Sequence, residues 1–246
     1  MDVQPYISWR DAKMKELLAK DKYDFSDLCD IVTLLRGEGG CPWDREQDHH
    51  SIRKGMIEEC YEVVEAIDSD DPVLLREELG DVLLQLVFHA DIEKDAGRFD
   101  IIDVANDECI KMIHRHPHVF GQVKADTSEQ VLVNWEAIKT EEKQRLSLSD
   151  QLHAIPSVLP ALMRAQKVCK KTDAFAESSL NDLLEQTAAD LMVLGKAKDA
   201  SEKRQAIGNV LFQMTAICRR LEVEAEEALT VAIENVIDRA EASENF

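Results

Sequence analysis

Apolar residues recur every three to four positions along almost the whole chain, and the alternation typical of strands is nearly absent. Only 9 Gly and 6 Pro interrupt the 246 residues. Both residue types weaken helix interiors, so their scarcity favours long helices. The sequence therefore predicts an all-α protein. The predicted helices cover roughly 8–20, 25–36, 50–69, 72–97, 101–114, 128–145, 158–171, 179–198, 202–221 and 223–242.

The chain is strongly acidic, with 29 Lys and Arg against 49 Asp and Glu and a formal net charge of −20. Proteins that bind nucleic-acid polymers or anionic membranes need clustered positive charge. We therefore expect neither a nucleic acid polymer nor a membrane as a partner. An acidic protein can still bind phosphates where a metal ion mediates the contact.

No segment has the apolar run of about 20 residues that spans a bilayer, and the stretch from Met1 to Lys20 lacks the apolar core of a signal peptide. The 6 cysteines form no Cys-x-x-Cys pair. Scattered cysteines of this kind are typical of reduced thiols, and they disfavour a zinc site or a disulfide framework. We therefore expect a cytoplasmic protein.

Two pairs of carboxylates mark the first half of the chain. Glu59 and Glu62 lie one helical turn apart, and Glu78 and Asp81 repeat this spacing in the next predicted helix. The residues between the pairs suffice to finish one helix, turn at an Asp-Asp-Pro sequence and return antiparallel. The spacing therefore predicts that the two pairs face each other across a helical hairpin.

The second of these helices carries a narrow polar stripe. From Leu74 to Ala90, apolar side chains cover nearly the whole circumference, so we expect the helix to be largely buried. The stripe consists of Glu78, Asp81, Gln85 and His89. Buried carboxylates are costly unless they are paired or bound to a cation, and the stripe contains no Lys or Arg. Carboxylate oxygens are ligands that favour a hard cation, so we expect Mg²⁺, with Mn²⁺ as a substitute. The alternative is that these acids belong to an acidic surface with structural ion pairs.

Further motifs surround the carboxylate pairs. Their order resembles that of the two-domain MazG-type nucleoside triphosphate pyrophosphohydrolases, members of the all-α NTP pyrophosphatase superfamily, and the resemblance covers roughly residues 25–240. The motifs are Gly-Cys-Pro-Trp-Asp at 40–44, Glu-x-x-Glu at 59–62, Glu-x-x-Asp at 78–81, Arg-His-Pro-His-Val-Phe at 115–120, Trp-Glu-Ala-Ile-Lys-Thr-Glu-Glu at 135–142 and Leu-Pro-Ala-Leu-Met-Arg-Ala-Gln-Lys at 159–167.

The resemblance implies hydrolysis of an NTP or dNTP to the nucleoside monophosphate and pyrophosphate, with Mg²⁺ bridging phosphate oxygens. The implied metal ligands are Glu59, Glu62, Glu78 and Asp81. The implied catalytic residues are Glu58, Glu59 and Glu62. The implied substrate-binding residues are Lys111, Arg115, Trp135 and Lys139. Cations one turn apart suit a triphosphate tail, and a tryptophan can stack on a base.

The second half contains an altered copy of the same unit. Residues 206–218 resemble residues 78–90, but Ala206 and Asn209 stand in place of Glu78 and Asp81. Alanine cannot ligate a metal and asparagine carries no charge. We therefore expect one catalytic centre per chain, in the first half.

These observations give a domain prediction with four segments. They are an N-terminal extension at 1–24, a MazG-like catalytic domain at 25–146, a connector at 147–157 and a degenerate MazG-like domain at 158–246. The resemblance implies that each unit is a helical bundle and that a homodimer completes a four-helix-bundle core.

Three other interpretations stay open. One is a catalytically silent helical dimer that binds nucleotide or a protein partner in regulation, which the altered second half favours. Another is an enzyme with a narrow preference for one dNTP, such as dCTP or dUTP. A third is a structural metal-binding bundle without turnover.

Overall fold

The computed structural model describes residues 3–143 and 147–244, and all regular structure within these ranges is helical. The all-α prediction is confirmed. None of the described helices combines the length and the apolar content that a membrane span requires. The helices are α1 (Val3–Leu18), α2 (Phe25–Arg36), α3 (Pro42–Glu46), α4 (His49–Asp68), α5 (Pro72–Asp95), α6 (Ile101–Arg115), α7 (Pro117–Phe120), α8 (Ser128–Lys143), α9 (Leu148–His153), α10 (Ala161–Thr172), α11 (Leu180–Leu194), α12 (Ala200–Arg220) and α13 (Ala225–Glu244).

Aspartate caps fix where the central helices begin. Helix α4 begins after Asp48 with a capping box. The Asp48 carboxylate accepts a hydrogen bond from the backbone N–H of Ser51, and the Ser51 hydroxyl accepts one from the backbone N–H of Asp48. Asp71 accepts from the backbone N–H groups of Val73 and Leu74, and Pro72 occupies the first position of α5. The predicted turn between α4 and α5 is therefore confirmed.

Three short helices were missing from the sequence prediction. They are α3, α7 and α9, each of six residues or fewer. Helices of this length contain too few turns to produce a hydrophobic period. Proline at the first position begins α3 and α7, and a capping box at Ser147 begins α9.

The chain divides into two compact units, residues 1–131 and residues 132–246. The division falls inside α8, N-terminal to the connector predicted at 147–157. The assignment of a catalytic and a degenerate domain to the two halves stays a prediction.

The first unit is built around α2, α4 and α5. The buried hydrophobic core between these helices consists of Val32, Ile52, Val87 and Phe88. Beside it, the Arg36 Nε donates to Asp91 Oδ2 at 2.9 Å, and the guanidinium lies 5.0 Å from the centroid of the Phe88 ring. This core fixes α5 against α2 and so holds α5 in place as one side of the candidate site.

The second unit has its own core, formed by α10, α11 and α12. Its buried residues are Cys169, Leu183, Ala216 and Ile217. Cys169 is a free thiol, as are the other five cysteines of the chain. The Arg220 guanidinium donates to the backbone carbonyls of Phe175, Ala176 and Ser178, which ties the loop after α10 to the end of α12.

The expectation that α5 is largely buried was wrong for one face of that helix. Leu79, Leu83 and Leu86 are exposed in the single chain, although Val87 and Phe88 are buried. On α4, Ile57 and Val64 are likewise exposed, whereas Glu59 lies toward α5. An apolar circumference predicts burial only where another surface is present to cover it.

Candidate metal centre

The site lies between α4 and α5, which pack as an antiparallel pair. Two contacts define their register. His49 at the start of α4 meets His89 near the end of α5. One turn further on, a methyl group at Gly55 would come within 3.1 Å of Gln85 Nε2, so glycine leaves room for that side chain. The same register brings the two predicted carboxylate pairs together.

Glu59, Glu78 and Asp81 each direct one carboxylate oxygen to a common point, with these oxygens all within 4.8 Å of one another. Glu78 is buried although it is ionisable. Glu62 is exposed and is not one of these three, but its carboxyl interacts with those of Glu59 and Glu78 closely enough to raise the pKa of both. Three of the four predicted ligands therefore converge, and Glu62 lies beside them.

The cluster raises the pKa of two of its members. Burial is the largest cause of the raised pKa of Glu59, followed by its hydrogen bond and charge interaction with Glu62. Burial also raises the pKa of Glu78, followed by the charges of Glu62 and Asp81. Negative charges that crowd one another in this way favour either a proton or a cation. The arrangement is therefore suited to hold a divalent metal ion through oxygen ligands.

Glu58 lies outside this cluster. Its side chain is exposed, and its carboxylate forms an ion pair with Lys54 one turn earlier, at 2.7 Å. Such i,i+4 pairs are ordinary features of a solvated helix surface. The structure therefore does not bring Glu58 together with Glu59 and Glu62.

Comparison with known proteins places the site in a family. The sequence model of the MazG nucleotide pyrophosphohydrolase domain matches residues 47–120, which include α4 and α5. The nucleoside triphosphate pyrophosphohydrolase/pyrophosphatase MazG of Thermotoga maritima is 38% identical over 224 residues, which cover 90% of this chain and 86% of that protein. The chain belongs to the MazG family. This confirms the resemblance found in the sequence and the hydrolase class that goes with it.

Two further relatives differ in how much of their own length the match covers. The nucleoside triphosphate pyrophosphohydrolase of Escherichia coli K12 is 39% identical over 215 residues, covering 84% of this chain and 82% of that protein. YabN of Bacillus subtilis is 41% identical over 215 residues. The match covers 85% of this chain but only 44% of YabN.

The predicted substrate-binding residues of this MazG chain fall into two pairs. Lys111 and Arg115 lie on α6 in the first unit, where Lys111 forms an ion pair with Glu108. Trp135 and Lys139 lie on α8 in the second unit. There the Lys139 ammonium lies 4.5 Å from the centroid of the Trp135 ring. Each pair is therefore assembled locally, and the role of both pairs stays a prediction.

In the second unit, one carboxylate and two amide side chains form a network between α11 and α12. Gln213 of α12 donates to Asp190 Oδ2 of α11 at 2.6 Å, and Gln186 donates to the other oxygen of Asp190 at 3.2 Å. Amide donors satisfy this single carboxylate without a cation. Within the described residues, the one cluster of three or more metal-ligating side chains is that of Glu59, Glu78 and Asp81.

Sequence reasoning missed a second polar cluster beside the metal centre. His89 was part of the predicted stripe, but its contact with His49 and the link from His49 to Glu93 were not foreseen. These residues are 40 and 44 positions apart in the sequence. Only the register of α4 against α5 brings them together, so no local spacing could have indicated them.

Proposed function

We propose that this chain hydrolyses nucleoside triphosphates to the monophosphate and pyrophosphate at a divalent-metal centre in its first unit. The proposed ligands are Glu59, Glu62, Glu78 and Asp81. The convergence of three carboxylate oxygens within 4.8 Å on α4 and α5 is the observation that supports this proposal most strongly. Membership of a nucleotide pyrophosphohydrolase family supplies the reaction class.

The residues present fit Mg²⁺, with Mn²⁺ as a substitute. All the donors are carboxylate oxygens, which hard cations prefer, and the cluster contains no thiolate or imidazole that would select zinc. The raised pKa values of Glu59 and Glu78 indicate that the cluster lacks compensating positive charge. A divalent cation would supply that charge and lower the pKa of both carboxyls.

The carboxylates then perform two tasks in the reaction. They hold the cation, which when bound neutralises phosphate charge and makes a coordinated water more acidic. By the resemblance, one of the predicted catalytic carboxylates, Glu59 or Glu62, would accept a proton of the attacking water. The water oxygen forms a bond to the α-phosphorus. The bond from that phosphorus to the oxygen bridging to the β-phosphorus breaks, and pyrophosphate leaves with the electron pair.

The remaining roles follow the resemblance. Lys111 and Arg115, one turn apart on α6, are proposed to bind the triphosphate tail. Trp135 and Lys139 are proposed as contacts to the base and the phosphates, and their assignment rests on the resemblance alone. Glu58 pairs with Lys54, and the catalytic role that the resemblance implies for it stays a prediction.

We also propose that the chain acts as a homodimer. Each helix of the α4–α5 pair carries an exposed apolar stripe with the i, i+4, i+7 spacing of a packing face. The stripe of α4 consists of Ile57, Tyr61 and Val64, and that of α5 consists of Leu79, Leu83 and Leu86. A second copy of the same pair would cover both stripes and complete a four-helix bundle.

The decisive experiment is a turnover assay on a panel of NTPs and dNTPs, with Mg²⁺, Mn²⁺ or EDTA, and with products separated by chromatography. We expect monophosphate and pyrophosphate, lost with EDTA and in Glu78→Gln. Glu65→Gln is the matched control, because Glu65 is an exposed acid of α4 outside the cluster. Diphosphate and phosphate as products would overturn the cleavage site. No turnover with any nucleotide would favour a silent nucleotide-binding dimer.

A further inference from the structure

Gln85 lies beside the candidate metal centre on the same face of α5. It follows Asp81 by four residues, which places it one helical turn, about 6 Å, further along the helix axis. Its side chain is half-buried. The amide nitrogen packs against Gly55 of the facing helix, where a methyl group would come within 3.1 Å of it. The packing of α4 against α5 therefore holds the Gln85 amide next to the carboxylates.

This amide has no hydrogen-bond partner among the described residues. Neither of its polar atoms is among the fully buried atoms that lack a partner, so the nitrogen and the oxygen both reach the surface. An amide offers two N–H donors and a carbonyl acceptor. Gln85 is therefore held in place by packing while its hydrogen-bonding capacity is left for a ligand.

The glutamine at the equivalent position of the second unit is used differently. In the alignment of the two halves, Gln213 corresponds to Gln85, and the same offset places Asp190 at the position of Glu62. Gln213 is only 7% exposed, and its Nε2 donates to Asp190 Oδ2 at 2.6 Å. In the first unit the Glu62 carboxyl interacts with the other carboxyls of the candidate metal centre instead. Only the unit with the metal centre leaves this glutamine unbonded.

The polar stripe of α5 indicates in which direction a nucleotide extends from the cation. One turn before Glu78 the same face carries the apolar Leu74. Beyond Asp81 it carries Gln85 and then His89. Sugar hydroxyls need hydrogen-bond partners, so they favour the polar direction. One helical turn is also about the distance that separates an α-phosphate from the hydroxyls of its own sugar.

We propose that Gln85 binds a sugar hydroxyl of the nucleoside triphosphate whose phosphates lie at the metal centre. A hydroxyl both donates and accepts, so the contact forms whichever way the amide is turned. It fixes the sugar, and through the sugar the α-phosphorus, relative to the carboxylates. The inference rests on the proposed function, since it assigns the sugar contact of the same nucleotide site.

The test removes each partner of this hydrogen bond in turn. Hydrolysis of ATP, 2′-deoxy-ATP and 3′-deoxy-ATP with Mg²⁺ is compared in the wild type and in Gln85→Met, which keeps the length of the side chain without the amide. We expect kcat/KM for ATP to fall about tenfold in the variant. The wild type should lose the same factor on the analogue that lacks the bound hydroxyl, and the variant should show no further loss there. The two analogues distinguish the 2′ from the 3′ hydroxyl.

Two controls separate this contact from a structural role. Gln205→Met replaces an exposed glutamine of α12 and should hydrolyse all three nucleotides as the wild type does. Mn²⁺ binding without nucleotide, measured by electron paramagnetic resonance, should be unchanged in Gln85→Met, because Gln85 is not among the converging ligands. Weaker Mn²⁺ binding, an unchanged kcat/KM for ATP, or losses that simply add for the variant and both analogues would overturn the inference.

The same comparison is made for binding, by calorimetry with the α,β-methylene forms of the three nucleotides. It keeps the failure of this inference apart from that of the proposed function. Non-additive losses in binding without turnover of any nucleotide would overturn the proposed reaction and leave the sugar contact standing. Turnover with additive losses would do the reverse. A chain that neither binds nor hydrolyses any of the three nucleotides would overturn both.

Discussion

Glu59 and Glu78 face each other across the α4–α5 pair with carboxylate oxygens within 4.8 Å, and burial raises the pKa of both. Like charges so close together destabilise a fold unless a proton or a cation lies between them. The same unit contains Arg36 and Asp91, where opposite charges meet at 2.9 Å. The buried Asp91 therefore has a positively charged partner, whereas Glu59 and Glu78 at the candidate metal centre face other carboxylates.

Replacing Glu78 with glutamine is expected to stabilise the metal-free protein and weaken its response to Mg²⁺. The substitution keeps the shape of the side chain and removes one of the crowded negative charges. Saturating metal should stabilise the wild type strongly, by about 2.7 kcal/mol at a hundred times Kd. Thermal unfolding with EDTA and with Mg²⁺ measures both effects, and Glu65→Gln should behave as the wild type does. An unchanged Mg²⁺ response in Glu78→Gln would remove Glu78 from the ligand set.

Arg36 is expected to be among the residues most important for stability. Its side chain and that of Asp91 are each only 7% exposed, and Asp91 also accepts from the Thr33 hydroxyl at 2.7 Å. Arg36→Met would leave a buried carboxylate without its cation, which costs about 3–5 kcal/mol. Urea unfolding checks this value. Arg53→Met is the control, since Arg53 is exposed on α4. Equal destabilisation by the two variants would show that the buried Arg36–Asp91 pair contributes no more to stability than an exposed arginine does.

Glu93 is expected to make stability depend on pH in the acidic range. Its folded pKa of about 2 lies below the usual value of 4.5 for a glutamate, so its contribution is present above pH 4.5 and is lost as the pH falls toward 2. Glu93→Gln should therefore unfold more easily than the wild type at pH 7. The difference should shrink between pH 4.5 and 2. Urea midpoints over this range measure it, and a difference that grows on acidification would contradict the assignment.

The sequence was sufficient to predict the parts of this protein that depend on spacing along one helix. The cap at Asp71 and the meeting of Glu59 with the acids of α5 follow from local rules of turn and period. The contact of His49 with Glu93 depends on the register of α4 against α5, which no local sequence pattern determines. The burial of α5 was predicted incorrectly because periodicity shows that a face is apolar, not which surface covers it.

That uncovered surface leads to the last prediction. Because the apolar stripes of α4 and α5 are exposed in the single chain, a charge placed on them should disrupt any dimer without damaging the core of the chain. Val64→Lys and Leu79→Lys are therefore expected to convert a particle of twice the 27.8 kDa chain mass into a monomer with unchanged helix content. Light scattering after size exclusion gives the mass, and circular dichroism gives the helix content.

Val158→Lys is the matched control for these variants, because Val158 is an equally apolar exposed residue that lies outside both stripes. It should leave the dimer intact. A specific interface of ordinary size buries about 1,200–2,000 Å² in total, and a buried lysine without a partner is costly there. A monomeric wild type at micromolar concentration would overturn the homodimer, and a dimer unaffected by either stripe variant would assign the interface to another surface.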